Sequence, residues 1–77
     1  MKYGAIWIDP DRMGGEPCFV GTRVPVEFLF DYLEGNDTID DFLESYPHIP
    51  KKDVVRVLKL ARKLLTSEKV LKENFRR

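Results

Sequence analysis

The sequence has little sulfur and little imidazole: one cysteine, Cys18, and one histidine, His48, in 77 residues. A lone cysteine excludes an internal disulfide. One Cys and one His far apart cannot hold zinc without carboxylates or a second chain. No apolar run approaches the ~18 residues of a membrane span. The apolar stretch before Asp9-Pro10-Asp11-Arg12 is too short for a signal peptide and lacks a small-residue cleavage site. A soluble cytoplasmic protein is expected, with no metal, no cofactor and no membrane contact. A catalytic set is also missing. Gly14-Gly15 comes without the Lys and Ser/Thr of a phosphate-binding loop. Asp9 and Asp11 have no His or base close in sequence. His48 reads as structural or solvent-exposed, and Cys18 as a small buried hydrophobe. No enzyme is expected.

What is present is one small domain. A core of this size supplies only a few kcal/mol net. With disulfide and metal excluded, oligomerisation is the remaining source of buried surface, so a dimer or a tight partner is expected.

Net charge is zero, but the charges are segregated. Residues 1–50 carry three bases against ten acids, a net of −7. Residues 51–77 carry ten bases against three acids, a net of +7. Such an asymmetry fits a polyanionic partner for the basic part, or mutual attraction of the two parts within one fold.

Tyr3 to Ile8 reads as a strand and Cys18 to Val20 as a second. Asp9 to Pro17 is turn and loop, and Gly21 marks a bulge or tight turn. Pro25 suits the first position of a helix. Val26, Leu29, Phe30 and Leu33 follow helical spacing, and Gly35 ends it. Thr38-Ile39-Asp40-Asp41 resembles a capping box ahead of Ile39, Phe42, Leu43 and Tyr46, and Pro47 stops that helix. Pro50 opens a long third helix, expected to run to about Lys69 or beyond. Its apolar positions are Val54, Val57, Leu58, Ala61 and Leu65, all within about 60° on a helical wheel. Lys52, Arg56, Lys59 and Lys63 fall within about 40° of the opposite pole. The expected fold is mainly α with a short N-terminal β-hairpin. The expected division is a strand pair plus helices over residues 1–65 and a C-terminal extension over 66–77.

The short second helix, tight turn and longer third helix match a helix-turn-helix. The third helix would enter a DNA groove with Lys51, Lys52, Val55, Arg56 and Lys59 at its working end. Arg56 suits a guanine edge and the lysines, Lys63 included, suit phosphates. The alternative is an ordinary solvated helix face. Lys51 and Lys52 sit where the helix dipole is positive, at a cost of roughly 0.3–1 kcal/mol each, and a phosphate would reverse that sign. Arg23 suits a phosphate contact or a salt bridge to an acid such as Asp9. Val70, Leu71 and Phe75 exceed what a small core can take. They suit a partner-binding arm with Arg76 and Arg77 beside it, or a segment that packs back on the strands.

Gly14-Gly15-Glu16-Pro17-Cys18-Phe19-Val20-Gly21-Thr22-Arg23-Val24-Pro25-Val26, followed by Tyr46-Pro47 and Asp53-Val54, resembles domain-of-unknown-function family 433. These are small bacterial and archaeal proteins, some described as VapB-type antitoxins. The resemblance covers roughly residues 6 to 62. It implies a homeodomain-like helix-turn-helix and a homodimer joined partly through the N-terminal strands. It also implies DNA binding and a PIN-like nuclease toxin as partner, with Arg76 and Arg77 as candidates for that toxin's acidic metal site. Family members commonly cap the third helix with Ser or Thr, whereas this chain has Ile49-Pro50, which cannot cap through a side chain.

Overall fold

A computed structural model of the chain describes residues 1–67. Three short strands, β1 (Lys2–Tyr3), β2 (Ile6–Trp7) and β3 (Cys18–Phe19), form an antiparallel sheet in the order β1-β2-β3. Three helices follow: α1 (Glu27–Glu34), α2 (Ile39–Ser45) and α3 (Lys51–Leu65).

The expected single strand over Tyr3 to Ile8 is therefore two strands. Gly4, at φ +61°, turns the chain between them, a backbone region that favours glycine. Lys2 pairs with Trp7 and Tyr3 with Ile6 across this turn. β2 then pairs with β3, Ile6 opposite Phe19 and Trp7 opposite Cys18.

The Gly21-Thr22-Arg23 segment is a tight turn held by one hydroxyl. Thr22 Oγ1 donates to the Phe19 carbonyl at 2.8 Å and accepts from the Val24 amide at 3.0 Å. The indole Nε1 of Trp7 donates to the Thr22 carbonyl at 3.0 Å. The turn brings Pro25 back beside Cys18 and lets the Val26 amide reach the Pro17 carbonyl at 2.9 Å. Pro25 thus belongs to this return, and α1 begins at Glu27 rather than at the proline. We expect Thr22→Ala to cost about 1–3 kcal/mol in urea melts, two hydrogen bonds at their usual net value. Thr22→Ser keeps both and should lose well under half of that.

The capping box at α2 forms as expected. Thr38 accepts from the Asp41 amide at 3.1 Å, and the Asp41 carboxylate accepts from the Thr38 amide at 2.8 Å. The Thr38 hydrogen bonds hold the Asp41 pKa below its ordinary value of 3.8. A carboxyl whose pKa is lowered by folding stabilises the fold above the ordinary value and loses that contribution as pH falls through the lowered one. Thr38→Ala should cost about 1 kcal/mol near neutral pH. The backbone N–H that gives most of the Asp41 shift survives in Thr38→Ala, so most of this cost should persist in melts run well below pH 3.8.

The core is a single cluster. Phe19, Leu29, Phe42 and Val54 are fully buried, one each from β3, α1, α2 and α3. Ala5, Val26, Ile49 and Val57 surround them. Phe42 packs its ring against Phe19, Tyr32 and Tyr46, at centroid distances of 5.6, 5.3 and 5.0 Å. Cys18 is buried as expected. Burial, and then the charge of Glu16, raise its thiol pKa, with Arg12 opposing.

Two expectations at the end of α3 are corrected. The helix closes at Leu65, not near Lys69, where Thr66 Oγ1 bonds the Arg62 carbonyl at 2.7 Å. Leu65, placed with the apolar face, is 64% exposed. Its angle on the helix is right, but α3 outruns the layer it packs on: its buried residues are Val54 and Val57.

Candidate nucleic-acid interface

α3 follows α2 after Tyr46-Pro47-His48-Ile49-Pro50. Ile49 anchors this connection: its side chain is buried and its amide donates to the Tyr46 carbonyl at 3.0 Å. His48 is exposed and sets its ring edge-on to Tyr46. Pro50 stands at the N-cap of α3 with extended ψ and makes no side-chain cap. The first-turn amides of α3 therefore lack a side-chain acceptor at that position, which leaves the positive end of the helix dipole open to an anion.

With Val54 and Val57 turned inward, the opposite side of α3 must face solvent. Lys52, Arg56, Lys59 and Lys63 are all exposed, as the helical wheel predicts. Lys51 is exposed and Val55 half-buried at the flank of the same row. Arg62, absent from the sequence-based set, is also exposed. Its wheel angle, about 80° from Val54, lies outside the window around the pole. It widens the cationic face on the side of Lys59.

Among the described residues, two cations of this face have acidic neighbours. Lys51 Nζ lies 3.9 Å from Asp40 on α2, with both side chains largely exposed. Arg56 lies 3.7 Å from Asp53 one turn earlier, where the Asp53 side chain is only 14% exposed. The Lys51–Asp40 pair is open and contributes little, whereas Arg56 keeps its guanidinium exposed over a mostly buried carboxylate. Asp53 also sits in the first turn, where it offsets the dipole cost of the two lysines.

Arg23 is exposed on the turn before α1. Of the two readings for Arg23, a salt bridge to Asp9 in particular is not formed. Asp9 Oδ1 instead accepts from the amide of Asp11 at 2.9 Å, so its carboxylate is used in its own turn. Arg12, not singled out from the sequence, stacks its guanidinium 4.7 Å from the centre of the Trp7 ring. Val70, Leu71, Phe75, Arg76 and Arg77 lie outside the described residues.

Among the described residues no three His, Cys, Asp or Glu side chains are grouped to hold a metal ion. No helix among them is long and apolar enough to cross a membrane. Residues 6–61 match the model of a family described as protein of unknown function, DUF433. The matched range spans β2 through most of α3 and stops before Leu64 and Leu65. No curated protein and no solved structure matches the chain.

Proposed function

The chain belongs to the DUF433 family, and from its basic third helix we propose that it is a DNA-binding regulator that lays α3 against duplex phosphates. One observation carries this reading: Lys52, Arg56, Lys59 and Lys63 form an exposed row along α3, opposite its buried side. In this reading α2, the Ile49 connection and α3 act as a homeodomain-like helix-turn-helix. Arg56 exchanges Asp53 for a base edge or phosphate, and the lysines fix the register on the backbone. A homodimer would present two such helices to successive major grooves.

The resemblance to VapB-type proteins extends the proposal to an antitoxin. Its second partner would be a PIN-like nuclease toxin, bound through Val70, Leu71, Phe75, Arg76 and Arg77. A second reading, a protein-interaction module without DNA, takes support from Asp40 and Asp53. These carboxylates already stand beside Lys51 and Arg56, as an acidic protein surface would.

Fluorescence anisotropy separates the two. The titration uses duplex DNA from the region upstream of the gene, beside a scrambled duplex, over a range of salt. The row of four cations on each α3 predicts that log K falls linearly with log salt, at about −0.9 per phosphate neutralised. Absence of binding even at low salt would leave the interaction module.

A further inference from the structure

Residues 1–50 hold only three bases, Lys2, Arg12 and Arg23, and all three collect around one side chain, Trp7. Lys2 is the cross-strand partner of Trp7, so the two side chains stand on one face of the sheet with Cβ atoms about 5 Å apart. Arg12 lays its guanidinium 4.7 Å from the centre of the indole. Arg23 follows Thr22, whose carbonyl accepts the indole N–H at 3.0 Å. Lys2 and Arg23 are exposed, and Arg12 and Trp7 are half-buried.

Successive residues of a strand point to opposite faces. Tyr3 and Ile6 pair on the face that meets α3, where they line an apolar groove with Val57 and Leu60. Lys2 and Trp7 therefore stand on the other face, with the sheet between them and α3.

These cations are not used on the acids of their own part of the chain. Among the described residues, the ion pairs are those of Lys51 and Arg56, and none involves Lys2, Arg12 or Arg23. Seven of the ten acids in residues 1–50 lie between Val24 and Pro50, where there is no Lys or Arg. Gathering like charges while acids stand elsewhere is locally unfavourable, and such a conflict marks a functional demand. We propose that Lys2, Arg12 and Arg23, arranged around Trp7, form a second surface for nucleic-acid phosphates, on the side of the sheet away from α3.

Stacking on Trp7 uses the flat face of the Arg12 guanidinium, holds it in place and leaves its N–H edge for a phosphate. The three cations form a row across the sheet: Lys2 on β1, Arg12 over β2 and Arg23 beyond β3. Neighbouring strands lie about 4.8 Å apart, so a row of this width suits consecutive phosphates of a strand better than one phosphate ion. In naming duplex DNA the inference rests on the proposed function, but none of its residues lies on α3.

Trp7 is the only tryptophan of the chain, so its emission reports on this surface. The test titrates a short duplex into the full chain and follows Trp7 emission beside anisotropy. Duplex should shift the emission, with a salt slope of about −2.7 for three phosphates at −0.9 each. The shift should survive Lys52→Glu/Arg56→Glu. In Lys2→Gln/Arg23→Gln, which keeps Arg12 on Trp7, its slope should be shallower by about two. Duplex binding seen by anisotropy with Trp7 emission unchanged would overturn this surface and leave α3 as the DNA contact. A shift lost on reversal of α3 but intact in Lys2→Gln/Arg23→Gln would do the same. A full shift with inorganic phosphate at matched ionic strength, and none with duplex, would assign the row to small phosphates and overturn the proposal. No duplex binding by either signal would remove the DNA reading and this surface together.

Discussion

Phe42→Ala should leave this protein largely unfolded at 25 °C, with the loss of its cooperative thermal transition. Phe42 is fully buried and touches an aromatic neighbour from β3, one from α1 and one from the end of α2. It is the side chain on which the sheet and two helices converge. Truncating a buried Phe to Ala costs about 3–5 kcal/mol, from lost transfer energy and the cavity left behind. A core of this size supplies only about 3–5 kcal/mol in total. The two quantities are equal, so one substitution consumes the whole stability. Phe42→Leu, which keeps most of the volume, should fold with a lower melting temperature. A normal melt for Phe42→Ala would mean that stability comes from elsewhere, in practice from a subunit interface, and would show as a concentration-dependent Tm.

The double reversal Lys52→Glu/Arg56→Glu should weaken binding to duplex DNA by at least a hundredfold at low salt. Both side chains are exposed, so the fold should tolerate the change, and a cooperative melt shifted only modestly is the control. Each reversal removes a charged contact to phosphate worth about 1.5 kcal/mol at the low end. Two such losses make about 3 kcal/mol, or about two decades of affinity at 1.4 kcal/mol per decade. Each substitution to a neutral residue should also lower the salt slope by about one. Lys52→Gln/Arg56→Gln, intermediate in affinity and shallower in slope, would separate lost contacts from added repulsion. DNA binding that survives the double reversal unchanged would remove α3 as the contact surface. Because Asp53 is left without its partner when Arg56 is reversed, a modest change in stability is expected beside the loss of binding.

Much of this architecture is legible before any coordinates. The capping box at Thr38 is a local device, since both of its hydrogen bonds span three residues. The buried side of α3 follows from the spacing of Val54 and Val57. The solvent-facing row of Lys52, Arg56, Lys59 and Lys63 is the same periodicity read from the other side. The strands are less legible because each is two residues long, too short for alternation to accumulate. The turn at Gly4 was hidden inside what looks like one continuous strand. Its signal is the glycine itself, set between a tyrosine and an alanine.

The sequence by itself determined that there are three helices, the stop at Gly35 and the capping box at Thr38, the family, and the separation of acidic from basic residues. These depend on interactions within about one turn of helix, or on composition, and no distant neighbour can reverse them. Only the tertiary structure decided that Arg56 lies beside Asp53 in a contactable geometry, that Lys51 meets Asp40 across two helices, and that Arg23 stands free of Asp9. Only the tertiary structure, likewise, left Leu64 and Leu65 in solvent and opened a groove beside the hairpin. Periodicity assigns a residue its angle around a helix axis. It says nothing of how far along that axis the neighbouring layer extends, and that length is set by where three short strands and two short helices happen to end.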